Sequence, residues 1–315
     1  MVMSVAILLS QSNSALRLDP DRPFNLLLTP VYASTSEFSF AASGDWGCTP
    51  KTIKTINGII EKDPEIVLGL GDFSYRQSVD CWYNLISPIS SKMKITLGNH
   101  DAISLKKLLQ LSDLFELKHP YYSFDHKGVH FVTISTEFAM ERGSEQFRFM
   151  EKDLRNASSD PKTNWIVVFI HKPTYSSPAA HKGLEILQKL YHGLFQKYNV
   201  DLVLQGHNHF YERTYPVIVN TLNYSNPIPT SHVKNSYTNQ TGQIFVTVGT
   251  GGESLYKYHG EPPFIAAQYE GYGFLNVDVI NDTKTTTMEA KFYGDDGNIK
   301  DEFSIEKTLG KKIGG

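Results

Sequence analysis

The sequence predicts an α/β fold in which helices cover the faces of a β-sheet core. Apolar, β-rich runs recur along the chain, and several are continuous rather than alternating, as expected for strands buried on both faces. Helix-like segments separate several of these runs. In the last third of the chain only strands are expected, joined by turn signals such as NDTK and GDDGN that are typical of antiparallel hairpins. The earlier strands are predicted at 37–42, 65–70, 93–98, 129–135, 165–170 and 200–205.

Three segments have helical character. The segment 50–62 follows Thr49, a suitable capping residue, and has Pro50 at its first position, where proline is tolerated. The segments 144–157 and 182–198 each place apolar residues on one stripe of a helix, as a helix packed on a sheet requires. The stripes consist of Phe147, Met150 and Leu154 in the first and of Leu184, Leu187, Leu190 and Leu194 in the second.

The chain beyond residue 210 is expected to be mainly β. The run 211–219 is typical of a strand, and the polar segment 220–240, rich in Asn, Ser, Thr and Pro, is predicted to be a long loop. Further strands are predicted at 242–250, 273–280, 285–293 and 301–307. We expect one domain over 36–307, with two domains as the alternative. A possible signal or unstructured segment precedes it at 1–35, and a short tail follows at 308–315.

Composition and charge exclude several classes of function. The chain has 315 residues, of which 40% are hydrophobic and 20% charged, with a formal net charge of −3. This balance is typical of a soluble globular protein and gives no electrostatic reason to expect a nucleic acid or an anionic membrane as partner. No stretch approaches the ~20 consecutive apolar residues of a membrane-spanning helix.

The N-terminal segment favours export, with a cytoplasmic location as the alternative. An apolar run at 24–34 ends in the small residues Ala33 and Ser34, which resemble a secretory cleavage site. Four Asn-x-Ser/Thr triplets would be glycosylation acceptors only in a secreted protein, and chance alone also produces such triplets. They begin at Asn156, Asn223, Asn239 and Asn281.

The two cysteines, Cys48 and Cys81, each lie a few residues beyond a Gly-Asp turn. If those turns converge, the thiols are close enough for one disulfide, which is consistent with an oxidising compartment. Two separate buried thiols are the alternative. Whether the pair is oxidised is therefore left open by the sequence.

Side chains that can bind metals follow five of the apolar runs, in the motifs SGDWG, LGDFSY, GNHD, IHKP and GHNH. Each residue alone has an ordinary explanation, such as a turn, a helix cap or a surface histidine. Ligands bind at the carboxyl ends of strands in α/β sheets, so five successive strand ends carrying such groups indicate one site. The polar set is Asp45, Asp72, Tyr75, Asn99, His100, His171, His207 and His209.

The types of ligand in this set indicate a pair of metal ions. A carboxylate between two cations can bridge them, and two metals ~3.5–4 Å apart can stabilise both the attacking and leaving oxygens of a phosphoryl transfer. Histidine and carboxylate suit first-row metals, whereas the phenolate of Tyr75 favours a trivalent ion. Such a centre attracts phosphate and lowers the pKa of a bound water.

In order, the five motifs resemble the five blocks of the purple acid phosphatases, a branch of the calcineurin-like metallophosphoesterases, over residues 36–307. The tyrosine three residues after Asp72 narrows the resemblance to this branch. The stretch GHNHFYERTYPV is similar to the plant-type catalytic domain. We expect the chain to lack the β-sandwich domain that precedes this domain in plant enzymes. The resemblance implies a four-layer αββα sandwich, that is, two mixed β-sheets flanked by helices.

The resemblance also implies the ligands of each metal. The Fe(III) ion would be bound by Asp45, Asp72, Tyr75 and His209. The divalent ion (Zn, Mn or Fe) would be bound by Asp72 as the bridge together with Asn99, His171 and His207. His100 would contact the substrate or support the ligands, and His181 is a candidate acid for the leaving alkoxide. The alternative for His181 is a surface histidine at the start of the 182–198 helix, and Asp101 has no predicted role.

The implied function is that of an acid phosphatase, which hydrolyses small phosphate monoesters with a metal-bound hydroxide as nucleophile. Two alternatives remain on the same scaffold. One is a Mn- or Zn-dependent phosphodiesterase in which Tyr75 is not a ligand. The other is a non-enzymatic exported binding protein, against which the intact ligand set argues.

Overall fold

Two seven-stranded β-sheets pack face to face in the computed structural model, which describes residues 36–309. The predicted signal segment at 1–35 and the tail beyond 309 lie outside the described residues. In chain order the strands are β1 (Ser36–Ser43), β2 (Ile66–Gly69), β3 (Met93–Ile95), β4 (Tyr122–His126), β5 (Val129–Thr133), β6 (Trp165–Phe169), β7 (Leu202–Gln205), β8 (Tyr211–Thr214), β9 (Val217–Ile218), β10 (Ile228–Pro229), β11 (Ser236–Thr238), β12 (Ile244–Val248), β13 (Ile265–Tyr269), β14 (Gly273–Asn281), β15 (Thr285–Gly294) and β16 (Ile299–Thr308).

Six α-helices accompany the strands: α1 (Pro50–Lys62), α2 (Asp80–Ile86), α3 (Asn99–Ala102), α4 (Leu105–Leu114), α5 (Glu145–Ser159) and α6 (His192–Lys197). A 3₁₀ turn spans Ser90–Lys92, and a π-helical turn spans Leu187–Tyr191 directly before α6. None of the described helices is both long and apolar enough to cross a membrane.

The two sheets are mixed. The first has the strand order β11-β16-β15-β14-β1-β2-β3, in which β1 to β3 are parallel and β14 to β16 form antiparallel hairpins, as predicted. The second has the order β13-β8-β12-β7-β6-β5-β4, with a parallel centre of β12, β7, β6 and β5. Strands β9 and β10 pair separately. In each sheet the parallel strands, β1 to β3 in the first and β5, β6, β7 and β12 in the second, lie side by side, next to the antiparallel ones. Within each of these two groups the strands therefore all have their carboxyl ends at the same edge of the sheet.

The main core lies between the sheets. Phe40 of the first sheet meets Phe131 of the second edge-to-face, with ring centroids 5.2 Å apart. The Trp165 indole N–H crosses the same interface and donates to Thr286 Oγ1 at 2.7 Å. Alternate residues of the strands point outward, where α1 and α2 cover one sheet and α5 and α6 cover the other. This is the predicted four-layer αββα arrangement.

Two of the three predicted helices begin where the sequence indicated. The Thr49 hydroxyl accepts from the backbone N–H of Lys51 and Thr52 and caps α1, with Pro50 at its first position. The Ser144 hydroxyl caps α5, and the predicted apolar stripe of α5 is buried against the second sheet. Local signals therefore fixed these helix starts.

The third predicted helix, at 182–198, was wrong in its first turn. The N–H of Leu184 donates to the Pro173 carbonyl at 2.8 Å, so this part of the chain is bound to the preceding loop instead of continuing a helix. Gly183 is packed against the Thr174 carbonyl. Regular helical structure starts only at residue 185 and passes through the π-helical turn into α6.

Other differences from the prediction lie in short elements. The predicted strand 211–219 is divided into β8 and β9 at Pro216, which has no N–H to donate to a sheet. The predicted loop 220–240 contains β10 and β11, and β11 joins the first sheet beside β16. Helices α2, α3 and α4 and strands β4 and β13 were not predicted. α2 and α3 are short, whereas the leucines of α4 form an amphipathic pattern that the prediction overlooked.

Cys48 and Cys81 form a disulfide, with their Cα atoms 6.1 Å apart. It joins the loop after β1 to helix α2. Of the two possibilities that the sequence left open, the structure contains the bonded pair.

A buried ion pair joins the two sheets. The guanidinium of Arg213, which is fully buried on β8, donates to both carboxylate oxygens of Asp301 on β16 at 2.6 and 3.0 Å. The Tyr211 hydroxyl also donates to Asp301, and Arg213 donates to the Tyr237 hydroxyl at 3.1 Å. Removing the carboxylate would leave a buried positive charge without a partner.

We therefore expect Asp301→Ala to lower the free energy of unfolding by about 3–5 kcal/mol. Urea unfolding followed by circular dichroism measures the change. Asp296→Ala is the control, since Asp296 pairs with Lys300 in solvent and its loss should change stability far less. Equal effects of the two substitutions would contradict the structural role of the buried pair.

Candidate metal centre

Five strand ends from both sheets meet at one edge of the sandwich. β1, β2 and β3 of the first sheet lead to Asp45, Asp72 and Asn99. β6 and β7 of the second sheet lead to His171 and to the segment that carries His207 and His209. Hydrogen bonds connect these loops within each sheet, because the Asp45 N–H donates to the Gly71 carbonyl and the Gly206 N–H donates to the His171 carbonyl. The backbone N–H of His207 also donates across the two sheets to Asp45 Oδ2 at 2.8 Å. The site is therefore built from the contact between the two sheets.

The two aspartates are held in unusual backbone conformations. Asp45 and Asp72 have φ values of 57° and 53°, in the left-handed region that most residues avoid. Gly98 makes room for this geometry, since a Cβ placed there would lie 2.3 Å from Asp72 Oδ1. Strain of this kind is concentrated at functional sites.

A first donor set surrounds the Tyr75 hydroxyl. This oxygen lies 3.2 Å from Asp45 Oδ1, 3.4 Å from Asp72 Oδ2 and 2.9 Å from His209 Nε2. The first donor set thus consists of Asp45, Asp72, Tyr75 and His209, the residues predicted for one metal. Three of its four members offer oxygen.

A second donor set surrounds the Nε2 atom of His171. This nitrogen lies 3.3 Å from Asp72 Oδ2, 3.1 Å from Asn99 Oδ1 and 3.2 Å from His207 Nδ1. Ligand atoms of Asp72, His171 and His207 all lie within 4.8 Å of one another. The second donor set consists of Asp72, Asn99, His171 and His207, and it shares the Asp72 carboxylate with the first.

Backbone carbonyls orient two of the imidazoles. The Nδ1–H of His171 donates to the Leu70 carbonyl at 2.8 Å, and the Nδ1–H of His209 donates to the Ser254 carbonyl at 2.6 Å. Each ring therefore directs the lone pair of its Nε2 toward the donor sets, as metal-binding histidines do. The His209 ring is also stacked on Tyr256, with centroids 4.0 Å apart.

The site has an excess of negative charge. Asp45 and Asp72 are buried, and among the described residues only histidines lie within ion-pair distance of them. Burial, reinforced by the charges of these two carboxylates, raises the pKa of the Tyr75 hydroxyl far above its ordinary value. A buried cluster of this kind is costly without a cation. The donors present fit metal ions, because carboxylate, phenol, amide and imidazole are all metal ligands.

The pKa values of the two histidines in the second donor set are shifted in opposite directions. Burial would lower the pKa of His171, but the charge and hydrogen bond of Asp72 outweigh it and raise the pKa to about 10. Burial and the neighbouring positive charge of His171 lower the pKa of His207. The Asp72 carboxylate thus favours a positive charge beside it, of the kind that a metal ion would also supply.

The two histidines predicted to act on substrate also lie at the site. The N–H of His100 donates to Asp72 Oδ1 at 2.7 Å, and its ring packs on Tyr75 with centroids 4.3 Å apart. The ring of the half-buried His181 packs on the ring of His207, with centroids 4.0 Å apart. His181 lies in the loop before the helical segment and not in the first turn of a helix, the alternative that the sequence left open. Burial, with the charge of His209, lowers the pKa of His181.

Two residues that support the site were missed by sequence reasoning. Asp101 is fully buried and accepts from the backbone N–H of Asp72, Phe73 and Gly98 at 2.7, 3.1 and 2.9 Å. The ammonium of Lys107 donates to the carbonyls of Ser74 and His100. Asp101 could have been found from the sequence, because it is the last residue of the GNHD motif. Lys107 could not, because its sequence neighbours are those of an ordinary surface residue on an amphipathic helix.

The comparisons with known proteins agree with this geometry. The profile of the calcineurin-like phosphoesterase family matches residues 38–211, more than half of the chain. The chain belongs to the calcineurin-like phosphoesterase family. The matched range contains both donor sets together with His100 and His181.

Its relatives include purple acid phosphatases. The chain is 30% identical over 271 residues to purple acid phosphatase 22 of Arabidopsis thaliana. This alignment covers 78% of the chain and 58% of the relative. It is 27% identical over 309 residues to acid phosphatase type 7 of Mus musculus, with 87% and 68% covered. The structure of purple acid phosphatase PPD1 from Lupinus luteus superposes with a TM-score of 0.74 at 25% identity, covering 88% of this chain and 55% of that one. The chain therefore spans about three-fifths of the length of its plant relatives.

Asp101 offers a test of how the site is held together. We expect Asp101→Asn to lower the free energy of unfolding by about 1–3 kcal/mol, because an amide N–H would replace an acceptor that faces backbone N–H groups. The bound metal per chain, measured by elemental analysis, should fall as well, since the backbone of Asp72 loses its hydrogen bond.

The matched control is Asp113→Asn on the exposed side of α4, which should leave both quantities unchanged. Full metal content and unchanged stability in Asp101→Asn would show that Asp101 does not support the ligand loops.

Proposed function

We propose that this chain hydrolyses phosphate monoesters at a centre of two metal ions, an Fe(III) ion in the first donor set and a divalent Zn, Mn or Fe ion in the second. The observation that carries the proposal is the position of Asp72. Its Oδ2 atom lies between the Tyr75 hydroxyl and His171 Nε2, 3.4 and 3.3 Å away, so one carboxylate serves both donor sets. The names of its relatives, purple and acid phosphatases, support the same activity.

In this reaction the residues of the chain would hold the metal ions and orient the substrate. When bound, the metal ions would supply Lewis-acid chemistry and lower the pKa of a water molecule that attacks phosphorus. Asp45 and Asp72 provide the negative charge that retains the ions. Tyr75, whose pKa is raised in the charged cluster, becomes a phenolate ligand only against a strong positive charge, which favours a trivalent ion in the first donor set.

Two further residues act on the substrate in this proposal. His100 lies beside Tyr75 and Asp72 and is placed to contact a phosphoryl oxygen. His181 lies over His207 at the edge of the site and gives its proton to the leaving oxygen as the ester bond breaks. Neither residue is needed to hold the metal ions.

The role of Tyr75 can be tested by spectroscopy. We expect the purified protein to contain iron and to show a broad visible absorption band that is lost in Tyr75→Phe, because the band arises from a phenolate bound to Fe(III). Hydrolysis of p-nitrophenyl phosphate should disappear on chelation and return with added metal.

Tyr83→Phe is the control, since Tyr83 lies in α2 and packs on Phe115, away from the donor sets. A colourless protein that contains manganese or zinc and is unaffected by Tyr75→Phe would instead favour the Mn- or Zn-dependent phosphodiesterase. Intact metal content without hydrolysis of any phosphate ester would favour a binding protein.

We also propose that the protein acts in a secreted or cell-surface compartment. The disulfide between Cys48 and Cys81 supports this, since such bonds persist in oxidising compartments. In protein taken from its own cells, with thiols blocked at lysis, we expect neither cysteine to carry the blocking reagent, as measured by mass spectrometry. Blocked thiols at both positions would place the protein in a reducing compartment.

A further inference from the structure

Asn208 lies between the two histidines His207 and His209 but turns its side chain away from the donor sets. It is fully buried. Its Oδ1 atom accepts from the backbone N–H of His181 at 3.2 Å, and its Nδ2 donates to the backbone carbonyl of His181 at 3.0 Å. Nδ2 also donates to Ser176 Oγ at 2.8 Å. All three hydrogen bonds therefore join the Asn208 amide to the loop that carries His181.

The chemistry of this contact is specific to a primary amide. An amide presents one acceptor beside one donor, the arrangement that matches the N–H and C=O of a single backbone residue. A carboxylate could accept from the N–H of His181 but would repel its carbonyl, and an apolar side chain would leave both groups of His181 without partners. Asn208 thus fixes the backbone of His181 at two points.

Few other hydrogen bonds hold this part of the loop. Residues 179–183 contain no helix or strand, and within the described chain their hydrogen bonds to other segments are the two to Asn208. On either side the loop is fixed, by the Ser177 N–H donating to Glu212 and by the Leu184 N–H donating to Pro173. Asn208 is therefore the hydrogen-bond partner of the His181 backbone, while the His181 ring packs on His207 and Tyr256.

We propose that Asn208 is a positioning residue, which holds His181 where it can protonate the leaving group. The inference rests on the proposed function. In that reaction water adds to phosphorus, the ester P–O bond breaks with its electron pair on the leaving oxygen, and the proton from His181 goes to that oxygen. A proton released by the attacking water restores His181 over the cycle, so that an ester and water give an alcohol and phosphate.

The dependence on leaving group separates this role from a structural one. p-Nitrophenolate leaves without a proton, whereas the alkoxide of glycerol phosphate needs one, so a misplaced His181 should affect only the second ester strongly. In Asn208→Leu, which keeps the size of the side chain, we expect kcat/KM for glycerol phosphate to fall at least about tenfold, with a much smaller change for p-nitrophenyl phosphate. The double variant His181→Ala/Asn208→Leu should lose no more than His181→Ala alone.

A second measurement does not depend on activity. Hydrogen exchange of a peptide that covers 176–184 should be faster in Asn208→Leu than in the wild type, because the His181 N–H loses its acceptor. Asn223→Leu, in an exposed loop, is the control and should change neither exchange nor catalysis. If Asn208→Leu does not fold, Asn208→Asp keeps the acceptor and should show the same selective loss to a smaller degree.

Three results would overturn the proposal: an equal loss for both esters, no loss for either, or unchanged hydrogen exchange in the loop. Failure of the proposed function would look different from these three results. The metal-loaded wild-type protein would then hydrolyse neither ester, but the difference in hydrogen exchange between wild type and Asn208→Leu would still be measurable.

Discussion

The buried carboxylates of Asp45 and Asp72 are the constraint on which the site depends. Two negative charges inside a protein need a compensating cation or many hydrogen bonds. Here no lysine or arginine among the described residues pairs with them. The backbone N–H groups of His100 and His207 donate to them at 2.7 and 2.8 Å, and their side-chain partners are imidazoles and a phenol. The chain also holds both residues at positive φ. Charge and strain of this kind are best explained by metal ions that the cluster is built to retain.

The packing of the two sheets makes this cluster possible. Asp72 follows a strand of the first sheet and His171 follows a strand of the second, so the second donor set exists only where the sheets face each other. Aromatic packing such as Phe40 against Phe131 fixes the distance between the sheets along the core. The ligand positions are thus a consequence of the αββα sandwich, and small shifts between its sheets would separate the donors.

The ligand loops are irregular, and side chains bonded to backbone hold them in place. Asp101 and Lys107 fix the loops of the first sheet through N–H and carbonyl groups, and Asn208 does the same for the loop of His181. All three are buried polar residues that bind backbone. Such residues specify geometry, because an unmatched polar group in the interior is costly and alternative loop conformations would leave several unmatched.

The sequence by itself determined much of this protein, since strands, helix caps and the metal-binding side chains at strand ends are all local signals. Thr49 and Ser144 capped the helices that they were expected to cap, and all seven predicted ligands lie in the two donor sets. Only the tertiary structure decided the rest: that Cys48 and Cys81 are bonded, that the chain before residue 185 is bound to a loop, and that Lys107 and Asn208 support the site. These depend on contacts between residues far apart in sequence, and a pattern within one segment carries no information about which distant backbone group its side chains will meet.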